Sequence, residues 1–267
     1  MKQLKLMVLT LTLLMGTMFT SCMDSGESGP QQWAGVVKVN DRMGYVTFTD
    51  AAGTELIPTN TIPVTLNARM AYIYCQVDEG QDLSTNPKSI KITLLADPTG
   101  IDATAITTPK VGESGDVPPN APVCSLSFAS GYSTVAPFQF SENTIVLPVL
   151  YRVKNVTTTE DIKNELAKHT FTLVCYTDDI KSGDTILKLY LRYKVEDEPA
   201  AIAERATRTS SFKAYEISQI LREYTLKSGQ AKPAKITIVA QQNEYNNKLE
   251  DTSTIEKVYE IEYKTAE

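Results

Sequence analysis

The stretch TILKLYLRYKV, residues 185–195, decides the fold. Its odd positions, Leu187, Leu189, Leu191, Tyr193 and Val195, are apolar, and the intervening set includes Lys188, Arg192 and Lys194. A side-chain period of two places one set on each face of an extended chain, so the stretch reads as a half-buried antiparallel strand. The same alternation recurs near the end of the chain. There Ile255, Tyr259, Ile261 and Tyr263 share one face, while Glu256, Glu260, Glu262 and Lys264 occupy the other.

Shorter runs of this kind cover residues 33–39, 45–50, 71–77, 90–95, 144–153, 171–175 and 235–240. Helix signals are few. Residues 158–168 predict one short helix: Thr158 can cap it, Asp161 stands at the capping-box position, and Ile162 and Leu166 share a face. In SFKAYEISQILREY, residues 212–217 predict a strand, followed by a helical turn capped by Ser218 that buries Leu221. The expectation is an all-β protein with one or two short helices.

Breaker residues divide the chain. Pro109, Gly112, Gly115, Pro118, Pro119 and Pro122 crowd one stretch with almost no apolar periodicity. Residues 107–122 therefore read as a Pro/Gly linker. The block before it, residues 33–106, has about five short strands and a hairpin at residues 51–53, which suits a small OB-like barrel. The block after it, residues 123–267, has more strands and suits a larger antiparallel β-sandwich.

The N-terminus reads as an address. Lys2 and Lys5 precede an apolar run that ends at Phe19, shorter than the ~20 residues that span a bilayer. This is the pattern of a secretory signal, here residues 1–21. Phe19-Thr20-Ser21-Cys22 resembles a bacterial lipobox, in which cleavage leaves the cysteine N-terminal and acylated. Cys22 is the expected lipidation site, residues 22–32 the tether, and the membrane the first partner through that lipid. The expected location is the outer membrane, on its surface or periplasmic face.

Composition removes several function classes. The chain has 32 acidic against 26 basic residues, and the signal takes Lys2 and Lys5 with it. A surface of that sign disfavours a phosphate backbone, so no nucleic-acid partner is expected. The single histidine, His169, excludes multi-histidine zinc sites and leaves a Ser-His-Asp triad without support. Its place at the end of the expected helix suits a cation complementing the helix dipole. Cys75, Cys124 and Cys175 sit in apolar surroundings and read as small buried hydrophobes, with one disulfide as the alternative. The acidic stretch from Asp178 to Asp184 reads as a solvated hairpin loop, with calcium binding as the alternative. Residues 196–199, Glu-Asp-Glu-Pro, read as a solvated strand stop. Trp33 is expected to anchor the chain's entry into the first domain and most of the 13 tyrosines to fit half-buried pleats, with a sugar-stacking platform of these aromatics as the alternative.

FTSC, the early GYVTFTDAAGTELIP and the C-terminal run of strands together resemble the NigD-like family of Bacteroides-group lipoproteins. That resemblance implies an N-terminal OB-like domain and a C-terminal β-sandwich. It implies no activity, cofactor or catalytic set, because the family has none established. Its name reflects association with a bacteriocin gene cluster. The functional expectation is a non-enzymatic envelope lipoprotein that binds a protein partner; a surface glycan-binding module and a bacteriocin-associated accessory or immunity role are the alternatives.

Overall fold

A computed structural model describes residues 31–265, apart from 43–44, 61–65, 67, 84–86, 114 and 131–132. Cys22, the signal and most of the tether lie outside the described residues. The described residues are mostly strand, with three α-helices among them, so the protein is all-β. No helix among the described residues is long and apolar enough to cross a membrane. Two compact units divide the described residues: one runs to residue 103 and includes 129–135, and the other takes residues 104–128 and those from 136 onward.

Unit 1 is a closed five-stranded barrel. Its strands are β1 (Gln32–Arg42), β2 (Tyr45–Thr49), β3 (Glu55–Pro58), β4 (Met70–Val77) and β5 (Ser89–Leu94). They run in the order β1-β2-β3-β5-β4, and β4 returns to β1. The length of β1 makes closure possible: residues from Lys38 onward pair with β2, and residues up to Lys38 pair with β4. The short strand β6 (Thr99–Ile101) adds to β4. Alternate residues fill the barrel, with Trp33, Val37, Phe48, Leu56, Ile73, Cys75, Ile90 and Ile92 in its core. The hairpin expected at residues 51–53 is present. Asp50 Oδ1 accepts from the Ala52 and Thr54 N–H groups at 2.9 and 2.8 Å, and Gly53 takes a φ of 87° that a side chain would resist.

Unit 2 has two four-stranded sheets. β7 (Ala103–Ala105) opens it; β8 (Phe128–Ser130) and β9 (Ser133–Val135) form a separate two-stranded pair that falls largely in unit 1, and unit 2 resumes with β10 (Phe138–Ser141) and β11 (Thr144–Val153). Then follow α1 (Thr159–Ala167), β12 (His169–Val174), β13 (Ile186–Val195) and α2 (Pro199–Ala203). The chain ends with β14 (Thr207–Glu216), α3 (Ser218–Ser228), β15 (Lys235–Gln242) and β16 (Ile255–Glu262). One sheet runs β10-β11-β14-β7 and the other β12-β13-β15-β16. Ile145, Leu147, Val149 and Tyr215 from the first share a core with Leu173, Leu189, Leu191, Ile236 and Ile238 from the second. The alternation in residues 185–195 is realised in full, since Leu187, Leu189, Leu191, Tyr193 and Val195 are all buried.

Three local expectations change. Residues 107–122 pack within unit 2: Thr107 bridges Val174, and the Asn120 side chain exchanges hydrogen bonds with the Val195 backbone. β13 and β15 pair in parallel, because β14 and the two short helices carry the chain back between them. The turn after β14 is a three-turn helix whose N-cap is Ile217, with Ser218 its first residue; it buries Ile220 and Tyr224, while Leu221 is partly buried.

Candidate functional site

The loop between β12 and β13 makes a concave site. Its first turn is the 3-10 segment Thr177–Asp179, and α3 fastens the rest. Lys227 Nζ donates to Thr177 O at 2.9 Å and pairs with Asp178 at 3.0 Å. Gly183 N–H donates to Ser228 O at 2.8 Å, and Tyr224 Oη donates to Asp184 O. Held in this way, the loop stands as a wall beside the outward face of β13 and β15. Together they enclose a groove of about 510 Å³. Asp179, Asp184 and Thr185 line it from the loop, and Ile186, Lys188, Tyr190 and Thr237 from the sheet.

Alternation along β13 sets the chemistry of the groove, since Lys188, Tyr190 and Arg192 all point away from the core. Lys188 Nζ lies 5.0 Å from the Tyr190 ring centroid. The Arg192 guanidinium lies 5.4 Å from the same ring and 5.5 Å from that of Tyr176. The two rings are 5.2 Å apart and tilted at 60°. Tyr176 Oη donates to Asp116 Oδ1 at 2.7 Å and accepts from Arg192. Its hydrogen bond holds the Asp116 carboxyl below the usual carboxylate range. The Tyr190 hydroxyl, then Glu256 and Asp179, hold the Lys188 ammonium above the ordinary lysine range. Among the described residues nothing bonds to the Asp179 carboxylate, while one Asp184 oxygen accepts from Lys181 N–H at 2.7 Å.

A second constellation is buried beneath α1. Glu165 Oε1 accepts from Arg205 Nε at 2.7 Å and from the Lys154 N–H at 2.9 Å, and Oε2 accepts from Arg205 Nη2 at 3.2 Å. His169 Nδ1 is 2.6 Å from Tyr193 Oη, and its Nε2 is 3.3 Å from Glu165 Oε1. Asp197 receives Arg205, Lys154 and Lys168 at 3.1–3.2 Å. Burial lowers the His169 pKa, so the ring is neutral and hydrogen-bonded, and the cationic role expected at the helix end does not hold. The Lys154 N–H and then Arg205 outweigh burial and hold Glu165 below its ordinary range, and Lys154 and Arg205 do the same for Asp197. Glu165, His169 and Arg205 are buried and bond to one another and to the partly exposed Asp197, which is a structural role. Residues 196–199 are thus more than a solvated stop: Asp197 ties three cations together, and Pro199 opens α2.

Helix α1 is capped as expected, with Thr158 Oγ1 accepting from Asp161 N–H at 3.1 Å. Its facing is reversed, because Glu165 is buried while Ile162 and Leu166 are each 43% exposed. Cys75, Cys124 and Cys175 are free and buried, and burial pushes the Cys75 and Cys175 thiols up to about 12. Among the described residues no group of three or more His, Cys, Asp or Glu could hold a metal ion. In the loop with the calcium alternative, Asp178 is spent on Lys227 and Asp184 on the loop backbone. Trp33 is 5% exposed and anchors β1 in the barrel core. The sequence gives no signal for Arg205, and it places Arg192 only on the polar face of residues 185–195. The position of Arg192 two residues from Tyr190 on a predicted strand was the one available signal for the groove.

Fold and groove define a class: a two-unit all-β protein, closed barrel and two-sheet unit, with a polar groove on an outward sheet face. The crystal structure of a candidate lipoprotein from Bacteroides fragilis matches it with a TM-score of 0.82 and 95% identity, over 89% of this chain and 100% of that one. The chain belongs to the same family as that protein. A protein of unknown function from Bacteroides vulgatus shares the fold alone, with a TM-score of 0.55 and 11% identity over 88% of this chain and 92% of its own. No protein-family model and no curated protein matches the chain.

Proposed function

We propose that the chain is a non-enzymatic, lipid-anchored protein of the cell envelope that acts by reversible binding in the groove beside β13. The groove carries this reading. It is a concavity whose wall is fastened by α3, and its volume lies within the range of about 300–1,000 Å³ usual for ligand sites. Its mixed lining, with Asp179, Asp184 and Lys188 beside Tyr190 and Ile186, supports a binding role. Acylation at Cys22, a tether over residues 22–32 and an outer-membrane location belong to the same proposal, and kinship with a Bacteroides candidate lipoprotein supports them. We further infer that unit 1 is OB-like, from its strand order and closure, and that the family is the NigD-like one.

A photo-reactive residue placed at Thr185 in cells tests the binding role. A reproducible adduct, whether protein or glycan, is the expected result; no adduct in native envelopes refutes it. Labelling with radioactive palmitate tests the anchor: the wild type takes up label and Cys22→Ala does not.

A further inference from the structure

The lining of the groove selects among ligands, and this inference rests on the binding role proposed above. A protein partner buries about 800 Å² per side, and the centre of such an interface is depleted of Lys and Asp. Here the lining of the concavity includes Asp179, Asp184 and Lys188. An anion meets two carboxylates against one ammonium, and a bare divalent cation lacks the acidic cluster it needs among the described residues. A neutral ligand rich in hydroxyls meets neither obstacle.

The geometry points to a saccharide site in this groove, in which Asp179 accepts from a vicinal diol, Lys188 donates to hydroxyl or ring oxygens, and Tyr190 and Ile186 meet the sugar's C–H faces. The Asp179 carboxylate has two oxygens and can take one hydroxyl on each, which two adjacent equatorial hydroxyls provide. Thr185 and Thr237 add hydroxyls that can donate or accept as the ligand requires. Lys188 and Arg192 flank Tyr190, so its ring is held before any ligand arrives, and little side-chain entropy remains to be lost on binding.

Saturation-transfer difference NMR on the detergent-solubilised, full-length lipoprotein tests this, with maltose, cellobiose, lactose and mannobiose as probes. A second arm uses polysaccharide stripped from the producing cells. Binding in the first arm identifies an exogenous sugar; binding in the second alone identifies the cell's own glycan, and either supports the site. Asp179→Asn and Lys188→Met then weaken binding about 10- to 100-fold, the loss expected for hydrogen bonds to charged groups. Lys194→Met, on the same face of β13 but outside the groove, leaves it unchanged. Saccharide binding indifferent to Asp179→Asn and Lys188→Met overturns the site. No binding in either arm overturns the saccharide class; an adduct to protein at position 185 would then preserve the binding role, and no adduct would remove both.

Discussion

Arg205 is among the largest fully buried side chains, and replacing it with leucine tests what holds unit 2 closed. Its guanidinium makes two bonds to Glu165, at 2.7 and 3.2 Å, one to Asp197 at 3.1 Å, and one to Ala201 O at 2.9 Å. Leucine fills much of the volume and satisfies none of these. The Glu165 carboxylate, 4% exposed, stays in the interior facing only the Lys154 N–H and a neutral imidazole. Stranding one partner of a buried ion pair costs about 3–5 kcal/mol. With a urea m-value of about 2 kcal/mol/M, the midpoint falls by about 1.5–2.5 M. Near-UV circular dichroism of the buried tyrosines Tyr151, Tyr193, Tyr215 and Tyr224 reads unit 2, and Trp33, the one tryptophan, reads the barrel core by fluorescence. Glu165→Leu/Arg205→Leu removes the stranded charge, so its cost falls short of the summed single losses by up to about 3 kcal/mol. A loss below about 1 kcal/mol for Arg205→Leu would refute the reasoning, since the network would then be exchangeable for water.

Other positions, buried and exposed, can be tested in the same way. Stability should fall in two stages as pH drops. His169 has a lowered native pKa, so the unfolded chain takes up its proton first and stability declines below about pH 6.5; Glu165 and Asp197, also lowered, add a second decline below about pH 4.5. Thermal melts check this, and His169→Gln should abolish the upper stage; a flat profile from pH 8 to pH 5 would contradict it. Cys75, Cys124 and Cys175 should resist a thiol-reactive dye in the native protein and react in urea, because each thiol is buried and held above its ordinary pKa. Gly229→Ala should cost about 1 kcal/mol, or about 2–4 °C in melting temperature, because the residue ends α3 at a φ of 73° with open space around it. Ile162→Lys should change stability by less than about 0.5 kcal/mol, since that side of α1 faces solvent.

The two parts of the molecule differ in how readable they are. Strand alternation is local: Leu187, Leu189, Leu191, Tyr193 and Val195 announce a buried face because the pleat itself sorts neighbours onto opposite sides. The cap of α1 and the hairpin at Gly53 are local too, each closed by residues within a few positions. The facing of α1 is not. Ile162 and Leu166 look like a core stripe until Arg205, forty residues downstream, draws Glu165 inward, and no nearby pattern records that pairing. Parallel pairing of β13 with β15 likewise depends on a crossover whose return path the strand sequences do not encode. The groove belongs to this second kind. Lys188, Tyr190 and Arg192 are spaced for one face by the strand period, which the sequence determined. The wall that makes their face concave exists because Lys227, Tyr224 and Ser228 of α3 reach the β12–β13 loop, a contact between segments some forty to fifty residues apart that only the packed chain could decide.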